Sequence, residues 1–233
     1  MVTERRGRPP GRAAEILSTF TRYVAERGYD ATNFSDIAGE LGVSKGTIVH
    51  HFGTKDRLLA ALHERYMRQR LAEAKLMCER LRTPTERLAA LLSAFVLYQV
   101  VDRDATVAFQ REFVRLADRE VMAEGRKMRT EYLELVRGVL SDGIEAGEFR
   151  DCDVNVQSLL IFGSAQWTWT WFEPDGLVTA EQVGAQLVAL VLGGLLVRRT
   201  RVTGLSDPAG RVARTVRACL AETADKGTLP EAS

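Results

Sequence analysis

The chain has 233 residues, 45% of them hydrophobic, with a formal net charge of +1. It is long enough to bury a core in one or two domains. It is no polycation, yet residues 1–70 carry 12 Lys and Arg against 8 Asp and Glu, while the remainder carries 20 against 23, so one end is built to meet an anion.

Cys78, Cys152 and Cys219 are far apart, odd in number and form no CxxC pair. This reads as free thiols in a reducing cytoplasm, not a disulfide framework or zinc site. The basic start MVTERRGRPPGR is followed by no apolar stretch of signal-peptide type. The longest apolar run, 187–197, is half the roughly 20 residues a membrane span needs. The expectation is a cytoplasmic protein without membrane segments.

In chain order, residues 1–11 read as a flexible basic arm. The apolar residues Ile16, Leu17, Phe20, Val24 and Ala25 recur at helical spacing, predicting a helix over 12–27 that Gly28 ends. Asn33 caps a short second helix with Asp36 three residues on, and Gly42 suits its left-handed end. Ser44 caps a third short helix and Thr54 a long fourth that runs past Leu71. Thr83-Pro84-Thr85-Glu86 combines N-cap, Pro at N1 and Glu at N3, predicting a helix as far as residue 101. Further helices are predicted over 105–117, 120–146, 153–172, 179–198 and 207–223, with Thr179 to Gln182 as a second capping box and Asp207-Pro208 as a cap. The fold class is therefore all-α, with about ten helices.

Residues 31–62, ATNFSDIAGELGVSKGTIVHHFGTKDRLLAAL, hold two short helices joined at Gly42. Ile37, Leu41, Val43 and Ile48 supply the small core of a helix-turn-helix, and Ala38 is small where the helices cross. That motif offers its second helix to a DNA major groove. Its outer side presents Lys45, Thr47, His50 and His51, and Gly46 permits close approach. Adjacent histidines point about 100° apart on a helix, which argues against a shared metal. With all three histidines in or just after this segment, and no nucleotide loop or Ser/His/Asp set, the body is not read as an enzyme. No cofactor is expected.

GVSKGTIVHHFGTKDRLL resembles the signature of TetR-family transcriptional regulators, with the likeness strong over about residues 12–62. One position departs: Val49 stands where the family usually has a phosphate-touching Tyr. The resemblance implies a three-helix helix-turn-helix DNA-binding domain over 12–58. It also implies a larger helical ligand-binding and dimerisation domain over 59–206, leaving 207–233 as an extra helix and tail. It implies that Lys45 reads a guanine edge, that Thr47 meets a thymine methyl or phosphate, and that His50, His51 and Lys55 touch phosphates. Asn33, Ser44 and Gly46 complete the interface, and Arg5, Arg6 and Arg8 follow the minor groove or backbone.

The same resemblance implies a homodimer through helices 153–172 and 179–198, bound to a palindromic operator with half-sites about 34 Å apart. These are the most apolar stretches, and Gly184, Gly193 and Gly194 permit close backbone approach. Trp167, Trp169 and Trp171 read as the last turns of a helix that Pro174 and Gly176 end, with Trp167 and Trp171 on one face. One face is expected to line a pocket and the other to meet the partner; plain core packing is the alternative.

The family senses small molecules in a cavity of the body. The candidate lining is Phe95, Tyr98, Phe109, Phe113, Met128, Tyr132, Phe162, Trp167 and Trp171. Residues 172–195 are similar to the tail of actinobacterial TetR-type repressors of lipid and steroid catabolism, some of which sense acyl-CoA thioesters. Arg111, Arg115 and Arg119 then form a basic stripe for the phosphates, or else a solvated face paired with Glu112 and Glu120. The expected function is a repressor released by an apolar or acyl-CoA-like effector. The alternative is a regulator of a multidrug efflux pump.

Overall fold

The computed structural model describes residues 11–112, 120–198 and 202–224. The arm arginines Arg5, Arg6 and Arg8, and Phe113, Arg115 and Arg119, lie outside the described residues. Among those described there are α1 (Arg12–Ala31), α2 (Phe34–Leu41), α3 (Lys45–Phe52), α4 (Lys55–Arg80), α5 (Pro84–Val101), α6 (Arg103–Glu112), α7 (Ala123–Glu145), α8 (Val154–Gln166), α9 (Ala180–Leu195), α10 (Val202–Leu205) and α11 (Arg211–Ala224). The fold is all-α, as its periodicity predicts, and no described helix is long and apolar enough to cross a membrane.

Short-range chemistry sets most helix starts. Asn33 Oδ1 accepts from the Ser35 and Asp36 amides, and Ser44 Oγ from Thr47. Thr83 with Glu86, and Thr179 with Gln182, close reciprocal capping boxes. Gly28 breaks α1 with φ at 84°, so regular helix stops where the sequence predicts and an irregular turn follows to Ala31. Asp207-Pro208 does not start a helix. Asp207 accepts from Ala209 and Gly210 in a turn, and α11 begins at Arg211.

The helix expected over 153–172 ends early. α8 stops at Gln166 and a 3-10 turn covers Trp167–Thr170. Thr168 Oγ1 donates to Ala165 O and Thr170 Oγ1 to Trp167 O, and these local bonds favour the tighter i→i+3 winding.

Long α4 and α5 form the centre of the body. α9 packs along α5, α7 along α4, and α11 lies across both α4 and α5. Past α7 the chain turns at Gly147 (φ 66°), and Phe149 pairs antiparallel with Leu196, joined by Arg150 N to Leu195 O and Val197 N to Glu148 O. Phe149 fills the space a side chain at Gly143 would need: a Cβ there would stand 2.1 Å from its ring. Gly143→Ala is expected to cost about 1–3 kcal/mol through overpacking, read as a lowered denaturant midpoint. An unchanged midpoint would contradict this packing.

Candidate functional site: a helix-turn-helix and an aromatic cavity

α2 and α3 meet across a turn in which Gly42 is left-handed (φ 63°, ψ 34°) and Val43 N donates to Ala38 O. Ile37, Ala38 and Ile48 are buried in one core cluster with Ile16, Leu17 and Phe20 of α1 and Leu58 of α4. This holds α3 outward, with Ser44, Lys45, Gly46, Val49, His50 and His51 exposed along it. Thr47 is half-buried, with its hydroxyl 3.0 Å from Ser44 Oγ. The His50 and His51 rings stand 5.5 Å apart at 66°. Among the described residues, no group of three His, Cys, Asp or Glu is placed to hold a metal ion.

Two expected backbone-contacting residues are engaged inside the protein. Lys55 Nζ donates to Asp30 O and lies 4.2 Å from the Tyr29 ring centroid, joining the start of α4 to the end of α1. Asn33 spends its carbonyl on the cap and its amide on Asp36 Oδ2 at 3.0 Å.

In the body, α4 to α8 enclose a cavity of about 450 Å³. α4 contributes Tyr66, Met67 and Arg70, α5 Phe95 and Tyr98, and α6 Phe109 and Gln110. α7 adds Arg126, Arg129, Thr130, Tyr132 and Leu133, and α8 adds Leu159, Phe162, Gly163 and Gln166. Five expected lining residues therefore come together: Phe95, Tyr98, Phe109, Tyr132 and Phe162. Phe95, Tyr132 and Phe162 form a cluster with centroids 5.3–5.9 Å apart, and Tyr66 stacks on Phe109 at 4.5 Å.

The other candidates are elsewhere. Met128 packs on the core beside the cavity without lining it. Trp167 and Trp171 are 66% and 55% exposed and outside the cavity, because the 3-10 turn carries them past its wall. Trp169 is half-buried between them.

Arg111 does not face the cavity either. It donates to Ala25 O and Glu26 O at 2.8 and 3.3 Å, closing open carbonyls near the end of α1, where a cation is favoured. Glu112, which is buried, accepts from Tyr29 N at 2.9 Å. The cavity's cations are instead Arg126 and Arg129, one turn apart on α7, and Arg70 on α4. Burial and the neighbouring Arg126 charge push Arg129 below its ordinary range. Residues 111, 115 and 119 share a spacing that gave no clue to the α1 contact. Arg126 and Arg129 carry an i, i+3 signal that marks one helix face without saying which neighbour it meets.

His63 is buried against Phe109 with ring centroids 4.9 Å apart, and burial with the Arg129 cation holds it down at about 3. The unfolded chain titrates near 6.5. Between those values the unfolded state binds more protons, so this group lowers stability as pH falls below 6.5, by up to about 1.4 kcal/mol per pH unit. The fall in melting temperature between about pH 7.5 and pH 5 is expected to be smaller in His63→Phe than in wild type. Equal falls would remove His63 as the cause.

The family model for bacterial regulatory proteins of the tetR family matches residues 16–62, and that for a tetracyclin repressor-like C-terminal domain matches 81–195. The transcriptional repressor KstR2 of Mycobacterium tuberculosis strain H37Rv is 31% identical over 192 residues, covering 81% of this chain and 95% of that protein. The fatty acid metabolism regulator protein of Bacillus subtilis is 26% identical, covering 78% and 94%. The solved structure of the ketosteroid transcriptional regulator KstR2 of M. tuberculosis superposes with a TM-score of 0.73 at 30% identity, covering 82% of this chain and 98% of that one. AibR in complex with isovaleryl coenzyme A and operator DNA gives 0.70 at 25% identity, covering 79% and 100%. With an N-terminal helix-turn-helix, a helical C-terminal body and relatives matched over nearly their whole length, this chain belongs to the TetR family of DNA-binding transcriptional regulators and is not an enzyme.

Proposed function

We propose that this protein is a homodimeric repressor of lipid or steroid catabolism genes, released from a palindromic operator by an acyl-CoA thioester. The carrying observation is the 450 Å³ aromatic cavity with Arg126 and Arg129 on its α7 side. A volume in the roughly 300–1,000 Å³ range of small-molecule sites takes the apolar acyl body. It leaves the nucleotide outside, where two half-buried guanidinium groups meet its phosphates. The relatives support the same reading, since one is a fatty acid metabolism regulator and another is solved with isovaleryl coenzyme A.

Lys45, Gly46, Thr47, His50 and His51 form the DNA-reading face in this proposal, with Ser44 and Asn33 fixing the helices that carry it. The dimer forms through exposed apolar stripes on α8 and α9.

Fluorescence anisotropy on labelled DNA from upstream of the protein's own gene tests this. Decanoyl-CoA is expected to release the DNA, with free CoA, decanoate and cationic dyes leaving it bound. Release by dyes alone would favour an efflux regulator, and release by nothing on the panel would remove the thioester reading. Arg126→Ala with Arg129→Ala is expected to raise the half-releasing decanoyl-CoA concentration at least about tenfold. Unchanged sensitivity would remove these arginines from the phosphate site.

A further inference from the structure

Not all of the cavity is apolar. Its most buried wall carries polar atoms that no protein group satisfies. Arg70 is 2% exposed and Tyr132 3% exposed. Arg70 Nη1, Tyr98 Oη, Tyr132 Oη and the buried Oε1 of Gln110 find no hydrogen-bond partner among the described residues, although all four residues line the cavity. Buried polar groups in native proteins are almost always paired, so an unpaired set carried by residues that line one cavity needs an explanation. A purely hydrocarbon occupant would leave all four unpaired.

The surroundings of Arg70 decide which polar group fits. Its Nη2 already donates to Glu73 Oε1 at 3.3 Å and to Asp102 Oδ2 at 3.1 Å, and Nε stands 3.1 Å from Glu73 Oε2 as an ion pair. The guanidinium lies 4.0 Å from the Tyr98 ring centroid and 4.9 Å from that of Tyr66. Two carboxylates therefore offset its charge. A third negative charge here would be buried without a counterion. A neutral oxygen meets no such penalty. A hydroxyl accepts from Arg70 or Tyr132 and donates to Gln110; a carbonyl accepts from both donors.

This arrangement is anchored from an unexpected place. Glu73 is 1% exposed, and its Oε1 accepts from Thr223 Oγ1 at 2.9 Å. Thr223 lies on α11, outside both stretches matched by the family models. Arg80 of α4 pairs with Glu222 beside it. The C-terminal helix thus holds Glu73, which holds Arg70, a cavity-lining residue whose Nη1 has no partner among the described residues.

We infer that the cavity selects an effector carrying a neutral hydrogen-bonding oxygen, hydroxyl or carbonyl, at the buried end of its apolar body. Arg70 and Tyr132 determine this specificity, and Thr223 is the positioning residue that reaches them from α11. The inference rests on the cavity being the effector site but not on the effector being a CoA thioester.

The test uses the full-length protein and three probes of one shape: 2-naphthol, 2-methylnaphthalene and 2-naphthoate, with binding followed by calorimetry. Wild type is expected to bind 2-naphthol at least about tenfold more tightly than either of the others. Tyr132→Phe removes only the unpaired hydroxyl. Arg70→Lys keeps a cation for Glu73 and Asp102 but loses the second arm of the fork. Each is expected to shrink the naphthol advantage to roughly threefold or less while the affinity for 2-methylnaphthalene holds. Thr223→Val is expected to act in the same direction, with Thr223→Ser restoring the wild-type preference. Circular dichroism confirms that each variant is folded.

Equal binding of naphthol and methylnaphthalene, tightest binding of the carboxylate, or no binding of any probe would overturn the inference. So would a naphthol advantage that survives both Tyr132→Phe and Arg70→Lys. If decanoyl-CoA fails to release DNA while naphthol keeps its advantage, only the thioester reading falls.

Discussion

Changing Leu160 and Leu190 together to glutamate is expected to give a folded monomer that has lost at least about a hundredfold in operator affinity. The reason is the distribution of exposed apolar surface. On α8, Val156 and Leu160, and just past its end Trp167, are more than half exposed, and their spacing places them with Gly163 along one stripe. On α9 Leu190, and two residues beyond its end Val197, stand out in the same way, with Gly193 between them. Both helices pack on α5 by their other sides, so neither stripe is needed for the fold of one chain. Contiguous apolar surface of this kind marks an interface, and in the proposed two-fold operator complex a second copy covers it. Holding two recognition helices in one particle makes the second DNA contact intramolecular, and that advantage disappears in the monomer. Sedimentation would give the mass, circular dichroism the fold and anisotropy the affinity. A variant that remains dimeric, or a monomer that binds operator as tightly as wild type, would remove α8 and α9 from the interface.

Legibility in the sequence followed the range of the interactions. Helix starts were readable because a cap such as Ser44 on Thr47, or Thr83 with Glu86, spans three residues. The helix-turn-helix was readable for the same reason, with Gly42 as its single backbone demand. Five of the aromatic lining residues were readable as apolar positions, since a large ring on a core-facing stripe goes inward whichever neighbour it meets. What failed was the identity of the neighbour. Arg111 on α6 has the periodicity of a ligand stripe but reaches across 86 positions to Ala25. Arg70 sits in the middle of α4, where composition argues for a solvated residue, and is buried because Glu73, Asp102 and two tyrosine rings surround it. The tryptophans misled because their helical spacing is real but local threonine hydroxyl bonds tighten the chain.

Replacing Arg111 and Glu112 together by alanine is expected to leave operator binding and effector binding separately measurable but to weaken each one's effect on the other. Phe109 and Gln110 line the cavity, and the next two residues of the same helix hold α1. No loop or glycine intervenes in which a displacement could be absorbed. Glu112 accepts the Tyr29 amide just after the break at Gly28, and Tyr29 in turn bonds Asp56 at the start of α4. A shift of α6 around the proposed effector would thus be imposed on the segment that orients the helix-turn-helix. To move such a regulator from 99% operator-competent to 1%, an effector must favour the released state by about 5.5 kcal/mol. Coupling must be reciprocal, so DNA should weaken effector binding by the same factor. In the double variant the ratio of effector affinities with and without operator is expected to fall toward unity, while effector affinity for the DNA-free protein stays within roughly threefold of wild type. Loss of the buried Glu112 contact should also cost about 1–3 kcal/mol of stability, so the ratio is measured well below the variant's melting temperature. A ratio equal to that of wild type would mean that the signal bypasses the end of α6 and reaches α1 through α4, the other helix that touches both the cavity and the DNA-reading domain.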